Sequence, residues 1–150
     1  MISEVQIEKL KKEDLKEAIS IYDKEYDVTT NYDKLFLVYD EIYHNPAYHC
    51  IVAKLDGKII GIVTIVTNFS IVEECKPFLT VQNFVIHKDY RRKTIGAQIF
   101  EYIFNYAKNN DYDYILLVTE SENKIAQSFY KKLGYKEEAG FINLMGRDEW

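Results

Sequence analysis

The hydrophobic positions in the first part of the chain change their spacing, and each spacing predicts one element. Residues 5–10 are typical of a strand. In residues 13–26 and 32–43, apolar side chains recur three and four positions apart, which predicts two helices. Asn45 and Pro46 end the second helix, because a proline disfavours helical geometry in the residue before it.

A β-hairpin is predicted next. Residues 49–55 and 58–67 are rich in Ile and Val, and Asp56-Gly57 between them is a strong signal for a two-residue turn. Residues 68–77 are polar and irregular, which predicts a loop.

The second half of the chain begins with a predicted βαβ unit. Residues 78–86 are an apolar run typical of a strand, and residues 94–109 have helical spacing. Residues 114–119 are typical of a strand covered on both faces. Two strands joined through a helix are expected to lie parallel, with a right-handed crossover.

A helix and two short strands are expected at the end. Ser121 is the expected N-cap of a helix over residues 123–133, and Gly134 fits the position just after a helix end. Residues 135–138 and 141–145 are the expected strands.

Together these elements predict one α/β domain over residues 1–150. A central mixed β-sheet is flanked by helices in the order β-α-α-β-β-β-α-β-α-β-β. The length of 150 residues, with 47% hydrophobic and 29% charged residues, fits a folded domain of this size.

Charge and targeting signals narrow the class of partner. The net charge of −5 argues against nucleic acid and fits a small cationic substrate better. The first residues lack the basic and then apolar pattern of a signal peptide. No run reaches the roughly 18 apolar residues that a spanning helix needs. A cytoplasmic protein without membrane contact is therefore expected.

The cysteines and histidines predict no metal site. Cys50 and Cys75 form no CxxC pair and are expected to be free, mostly buried thiols, with a disulfide between them left open. His44, His49 and His87 are scattered, without an HExxH motif.

A basic segment joins the strand over residues 78–86 to the following helix. Three adjacent cations in it are Arg91, Arg92 and Lys93. The unpaired N–H groups at a helix start can hold a phosphate, and neighbouring cations add full charges. The small residues Gly96 and Ala97 leave room for a close approach to the backbone. On its own, the segment fits an anion cradle and a solvated basic turn equally well.

Two motifs in this element order resemble the GNAT N-acetyltransferase superfamily. Residues 91–97, RRKTIGA, resemble its acetyl-CoA pyrophosphate loop, R/Q-x-x-G-x-G/A. Residues 123–135, NKIAQSFYKKLGY, are similar to N-x-x-A-x-x-F-Y-x-K-x-G-F/Y, which is a long and specific pattern. The element order extends the resemblance over essentially the whole chain, which implies a GNAT-like acyl-CoA N-acyltransferase fold.

The resemblance implies that acetyl-CoA is a cosubstrate, without a metal, and that its acetyl group passes directly to a primary amine. The pantetheine arm is expected to pair with the backbone of the strand before the loop, where the next strand splays away. The pyrophosphate is expected on backbone N–H groups of the loop. The implied cofactor-binding residues are Phe84, Val85, Ile86, Arg91, Arg92, Lys93, Thr94, Ile95, Gly96, Ala97, Asn123 and Tyr130.

The second motif carries the implied chemistry. Tyr130 resembles the family's general acid, a phenol that protonates or hydrogen-bonds the departing thiolate. Helical periodicity alone would make Tyr130 a core residue, and the full motif reverses that preference. Asn123 resembles a ligand of the pantetheine arm, and it fits equally well a helix-start residue that bonds the local backbone.

Three departures from the family pattern matter. Thr94 stands where the first glycine is usual, and an ordinary helical φ is expected there; Lys88 replaces a common proline. Gln82 and Asn83 stand where many relatives have a carboxylate, so the general base is open between bulk water and a remote acid. The candidate acids are Glu25, Asp27, Glu73, Glu74 and Glu120.

The acceptor and the assembly stay open. A small-molecule amine is favoured over a protein, and the acids within residues 25–41 favour a cationic one. The tyrosines among these acids fit a substrate wall and an ordinary helix pair equally well. Whether the protein forms a homodimer is left open by the sequence. The alternative function is a non-catalytic CoA-binding sensor or regulatory module, and nucleic-acid binding through residues 87–93 is disfavoured by the acidic net charge.

Overall fold

The computed structural model describes residues 4–146, in which five strands form one sheet ordered β1-β2-β3-β4-β5. The strands are β1 Gln6–Lys9, β2 Tyr48–Leu55, β3 Lys58–Asn68, β4 Phe78–Ile86 and β5 Ile115–Leu117. The helices of this range are α1 Leu15–Tyr26, α2 Tyr32–Tyr43, α3 Ile95–Asn109 and α4 Lys124–Lys132, with 3-10 turns at Lys12–Asp14 and Lys88–Tyr90. Strands β1 to β4 pair antiparallel and β5 pairs parallel to β4, so the predicted mixed α/β sheet is confirmed.

Two compact units make up the chain, one ending at Val118 and the other beginning at Thr119. The first contains the sheet and α1 to α3, and the second contains α4. The single domain expected over residues 1–150 stays a prediction. No helix within residues 4–146 is both long enough and apolar enough to cross a membrane.

Different helices cover the two faces of the sheet in the first unit. Val52 of β2 lies in a buried cluster with Leu15 of α1 and Tyr39 of α2. Its neighbour Ile51 lines a cavity together with Tyr106 of α3. Because successive strand residues point to opposite faces, α1 and α2 cover one face and α3 covers the other.

The hairpin and the second helix follow the sequence pattern closely. Asp56 and Gly57 have φ of +49° and +79°, as a type I′ turn requires, so the predicted hairpin is confirmed. Asn31 caps α2 by accepting the N–H of Lys34 at 3.1 Å, which fixes the predicted start of that helix.

The two strands predicted at the end of the chain are wrong. Residues 135–138 and 141–145 form neither strand nor helix. Phe141, Ile142 and Met145 are largely exposed. A strand needs a neighbouring strand for its backbone hydrogen bonds, and the described residues of the second unit, 119–146, contain no strand.

β5 and α4 also differ from the expectation. Leu116 is 40% exposed and Val118 is 87% exposed, so β5 is shorter than predicted and is not covered on both faces. The N-cap of α4 is Asn123 and not Ser121, because the Asn123 side chain accepts the N–H of Ala126 at 3.0 Å.

Both cysteines are free thiols. Cys50 is half-buried in β2, with its Sγ 3.7 Å from the hydroxyl of Thr64. Cys75 lies exposed in the polar loop between β3 and β4, so the expectation of a mostly buried thiol is wrong for this residue.

Candidate functional site

β4 leaves half of its outer edge without a strand partner. Its parallel pairing with β5 joins Leu79 to Ile115, Thr80 to Leu116 and Val81 to Leu117. Within the described residues, no strand pairs with residues 82–86 on that side. The pairing of β4 with β5 therefore ends before residues 82–86, the part of β4 that the resemblance implies for the pantetheine arm.

A β-bulge marks the start of this open edge. β3 has one residue between the partners of Gln82 and Val85, whereas β4 has two, Asn83 and Phe84. Asn83 has a φ of +54°, a left-handed conformation that asparagine tolerates better than most residues. A bulge bends its strand and increases the local twist.

Beyond the bulge, successive residues of β4 direct their backbone groups to opposite edges of the strand. The N–H of His87 donates to the carbonyl of Ile60 at 2.8 Å. Bonding alternates along an antiparallel ladder, so His87 and Val85 direct their backbone groups towards β3. Phe84 and Ile86 direct theirs to the open edge, along which an extended ligand would lie.

The chain leaves β4 through a segment of residues 87–94, called here the basic loop. It begins with the turn Lys88–Tyr90, capped by His87, whose Nδ1 accepts the N–H of Asp89 at 3.2 Å. Arg92 and Thr94 then have φ of +60° and +66°. Left-handed residues interspersed with ordinary ones turn successive N–H groups towards one point, as in anion-binding nests.

The conformation of Thr94 overturns the expectation of an ordinary helical φ. Thr94 immediately precedes α3, with φ +66° and ψ +4°. Glycine adopts this region freely, but a β-branched residue does so only with strain. The hydroxyl makes no capping bond to the backbone of α3, and it accepts instead from Nε2 of Gln98 at 3.0 Å. A strained position therefore stands where the resembled motif has glycine.

The start of α3 presents backbone donors. Its ladder begins with the N–H of Gln98 donating to the carbonyl of Thr94 at 3.0 Å. The N–H groups of Ile95, Gly96 and Ala97 consequently have no partner within the helix. They carry the partial positive charge of the helix start. The Ile95 side chain is buried, so this residue offers a ligand only its backbone.

The cations of the basic loop have different environments. Arg91 forms an ion pair with Glu25 of α1, and its Nε donates to the carbonyl of Ile86 at 3.2 Å. Arg92 and Lys93 are exposed and can reach an anion beside the helix start. Sequence reasoning missed the link between Glu25 and Arg91, since residues far apart in the chain carry no local signal of such a pair.

The second unit carries the other predicted site residues on α4. Asn123 acts as the N-cap through its Oδ1, which is the local-backbone role left open from the sequence, and its NH₂ group is left to donate elsewhere. Tyr130 lies in the last turn of α4. Its ring centre is 5.4 Å from that of Phe129 and 6.0 Å from that of Tyr135.

A Schellman motif fixes the backbone at Tyr130. Gly134 has a φ of +94°, which confirms the predicted glycine after the helix end. The N–H of Tyr135 donates to the carbonyl of Tyr130 at 3.0 Å, and the N–H of Gly134 donates to that of Lys131 at 3.0 Å. Burial, together with the neighbouring phenol of Tyr130, raises the pKa of Tyr135 to about 12. Tyr135 therefore stays neutral at physiological pH.

The candidate acids are dispersed. Glu25 contacts the basic loop through Arg91. Glu73 and Glu74 precede β4, and the basic loop follows it. The nine residues of β4 span about 30 Å at 3.3 Å per residue, so these two acids lie beyond the opposite end of the strand from the loop. Asp27 ends α1 in a left-handed conformation, and Glu120 belongs to the second unit. Residues 4–146 contain no cluster of His, Cys, Asp and Glu that could hold a metal ion.

A separate polar cluster lies on the α3 face. Nε2 of His49 lies 3.0 Å from the hydroxyl of Tyr106, beside a cavity of about 220 Å³ that Lys9 also lines. Burial first, and then the charge of Lys9, lower the pKa of His49. The surroundings of His49 therefore favour its neutral form.

Comparison with known proteins identifies the family. Residues 13–135 match the sequence profile of the acetyltransferase (GNAT) family. The chain belongs to the GNAT family. The uncharacterized N-acetyltransferase YhfO of Bacillus subtilis (strain 168) is 29% identical to this GNAT chain over 93 residues, 62% of each protein. The chain spans 37% and 44% of the length of two further curated relatives.

Solved structures share the fold of this GNAT protein. A transcriptional regulator from Bacillus halodurans C-125 matches with a TM-score of 0.85 at 19% identity, over 94% of this chain and 99% of that one. The aminoglycoside N-acetyltransferase AAC(6')-Iy, solved in complex with CoA, matches with a TM-score of 0.81 at 19% identity, over 98% and 97%. At these identities the likeness shows the fold, and the predicted GNAT-like architecture is confirmed.

Proposed function

We propose that this GNAT protein is an acetyl-CoA-dependent N-acetyltransferase that moves an acetyl group directly to a primary amine of a small molecule. One observation carries the proposal: the open edge of β4 leads through the basic loop to the unpaired N–H groups of α3. A pantetheine arm can pair with the open edge of β4, and a pyrophosphate can bind the N–H groups at the start of α3. The open edge, the basic loop and the helix start follow one another in the order that an extended CoA molecule needs.

The residues present fit this cosubstrate. Phe84 and Ile86 lie along the open edge, where the Ile86 carbonyl accepts from Nε of Arg91 and the Ile86 N–H is directed outward. Val85 between them is anchored in the core. The exposed Arg92 and Lys93 can add charge beside the diphosphate. Bound acetyl-CoA would supply the acetyl thioester. The proposed backbone donors for its diphosphate belong to Arg92, Lys93, Thr94, Ile95, Gly96 and Ala97.

Tyr130 is proposed as the general acid. Its hydroxyl would donate to the sulfur atom that leaves as a thiolate, a role that suits a phenol because it can donate a hydrogen bond to a developing anion. The NH₂ group of Asn123 is proposed to donate to the pantetheine arm. The position of Tyr130 in the last helical turn, held by the Schellman motif, suits a fixed donor.

Water is proposed as the acceptor of the amine proton. The amides of Gln82 and Asn83 cannot act as bases, and the Glu25 carboxylate is engaged by Arg91. The attacking amine must be neutral, whereas a typical alkylamine has a pKa near 10. The rate at subsaturating amine is therefore expected to rise with pH towards the pKa of the amine.

A small-molecule amine remains the proposed acceptor. Asp33 and Glu41 are exposed on α2 and keep the surface acidic, which favours a cationic amine. Asp40 of the same helix is paired with Lys12 at 3.2 Å. The aminoglycoside N-acetyltransferase that shares the fold is named for an amine-bearing small molecule, which supports the same class.

Two measurements test the proposed function. Calorimetric titration with acetyl-CoA is expected to give a dissociation constant in or below the range of about 1–100 μM, typical of enzyme substrates. Thiol release is then measured with neutral amino acids, polyamines, aminoglycosides and peptide N-termini. Absence of binding would refute the proposal. Binding without thiol release for any amine would favour the non-catalytic CoA-binding module, and a preference for neutral amino acids would contradict the cationic acceptor.

A further inference from the structure

Arg91, the first residue of the GNAT loop motif, makes two contacts within the protein. Its guanidinium pairs with Glu25 in the last turn of α1, and its Nε donates to the carbonyl of Ile86 at 3.2 Å. The side chains of Glu25 and Arg91 are 33% and 43% exposed, so water screens the pair only in part. One side chain thus joins α1, the end of β4 and the basic loop.

These contacts act on the backbone that the proposed cosubstrate would meet. The Ile86 carbonyl points to the open edge of β4, so Arg91 occupies an acceptor of that edge. Arg91 itself is extended, with φ −69° and ψ +157°, and the left-handed Arg92 follows directly. Holding the Arg91 side chain therefore sets the direction in which the chain enters the turn with the N–H donors.

We propose that Glu25 and Arg91 form a positioning pair, which holds the basic loop in the conformation that binds the CoA diphosphate. The inference rests on the proposed function. In this inference the Glu25 carboxylate holds the conformation of the loop and is not the general base. The Arg91 guanidinium likewise binds groups of the protein and not the 3′-phosphate of CoA. Binding is favoured because a loop ordered in advance loses less conformational freedom when the ligand arrives.

The test compares Glu25→Gln, Arg91→Gln and the double variant with wild type. Glu101→Gln is the matched control, because it removes one negative charge from an exposed position of α3 outside the proposed site. Each single variant is expected to raise the Kd and KM for acetyl-CoA by about 3- to 10-fold, as the loss of a charged hydrogen bond predicts, with kcat within about twofold. The double variant is expected to have a Kd for acetyl-CoA no higher than that of the single variant that binds it less tightly. The control stays within about twofold of wild type in every constant.

Other assignments of the pair predict different results. A general base at Glu25 would lower kcat in Glu25→Gln and shift its pH profile while the Kd stayed constant. A 3′-phosphate ligand at Arg91 would abolish, in Arg91→Gln alone, the preference for CoA over 3′-dephospho-CoA. Competition between Glu25 and the cosubstrate for Arg91 would make Glu25→Gln bind acetyl-CoA more tightly. Any of these outcomes, or additive effects in the double variant, would overturn the positioning pair.

A readout without ligand separates this inference from the proposed function. The N–H of Tyr90 bonds the carbonyl of His87 at 2.9 Å, and the N–H of Gln98 bonds that of Thr94 at 3.0 Å. Hydrogen exchange of these two amides is expected to speed up in Glu25→Gln and Arg91→Gln and to be unchanged in Glu101→Gln. Unchanged exchange in both loop variants would contradict the pair. If wild type failed to bind acetyl-CoA, the proposed function would fall while exchange still decided whether the pair holds the loop.

Discussion

Replacing Thr94 with glycine is expected to stabilise the protein. A left-handed conformation costs an L-residue roughly 1–2 kcal/mol, and Thr94 adopts it with φ +66°. Glycine removes that strain but loses about 0.5–1 kcal/mol more conformational entropy on folding. The bond from Gln98 to the Thr94 hydroxyl is exposed and contributes little to the balance. At the middle of both ranges the net gain is about 0.75 kcal/mol, which corresponds to a rise in Tm of about 1.5–3 °C for a chain of this length.

Urea denaturation of four variants isolates the cause of this gain. Thr94→Asn should gain less than Thr94→Gly, because asparagine tolerates the left-handed region only in part. Thr94→Ala keeps a Cβ atom and should stay near wild type. Lys93→Gly is the matched control: its φ is not positive, so glycine there should cost about 0.5–1 kcal/mol. From highest to lowest, the expected order of the free energies of unfolding is Thr94→Gly, Thr94→Asn, Thr94→Ala and then Lys93→Gly.

Two results would refute this reasoning. Equal losses in Thr94→Gly and Lys93→Gly would mean that Thr94 is not left-handed in solution. An equal gain in Thr94→Ala would trace the effect to the hydroxyl and not to φ. Calorimetry with acetyl-CoA on the same variants adds the functional readout. Because glycine leaves the backbone N–H in place, the Kd of Thr94→Gly is expected to stay within about threefold of wild type.

Three further predictions follow from the fold and the proposed site. Tyr130→Phe should lower kcat by about 10²-fold or more, the usual effect of losing a general acid, with the Kd for acetyl-CoA nearly constant; unchanged turnover would remove Tyr130 as the acid. Gly61→Ala should lower the free energy of unfolding by about 1 kcal/mol in urea, because its Cβ would lie 2.8 Å from Cδ1 of Ile86; a gain in stability would contradict this packing. The lowered pKa of His49 means that its contribution to stability is present above a pH of about 6.5 and is lost as the pH falls through the folded-state pKa. Urea titrations should therefore show a steeper loss below that pH in wild type than in His49→Gln, and parallel curves would disprove the assignment.

Local chemistry explains the elements that were predicted correctly. The bounds of α2 and β4 agree with the sequence pattern, since α2 has its own cap in Asn31 and ends before Pro46. The hairpin follows from Asp56-Gly57 in the same way. The strands expected over residues 135–138 and 141–145 did not form, because a short segment supplies only one partner of a β-ladder. Whether a second strand lies beside it depends on the whole fold.

In the candidate site, too, local sequence predicts some features and not others. The order of strand, basic loop and helix, and the glycine at position 134, can be predicted from neighbouring residues. The left-handed φ of Thr94 could not be predicted, because nothing local forces a threonine into that region. The ion pair between Glu25 and Arg91 joins distant parts of the chain, and its formation depends on how α1 packs on the sheet.

The bulge in β4 also separates what the core requires from what a ligand requires. Val81 pairs with Ile65, which lines the α3 face, and Phe84 meets the Phe100 ring of α3 at 4.9 Å. Asn83 and Phe84 together thus occupy one position in the alternation of side chains between the two faces. If Asn83 were deleted, every core side chain of β4 would stay on its present face. What the deletion would remove is the bend. Within this fold, the single extra residue Asn83 therefore changes the direction of β4 at the start of its unpaired edge without moving any core side chain to the other face.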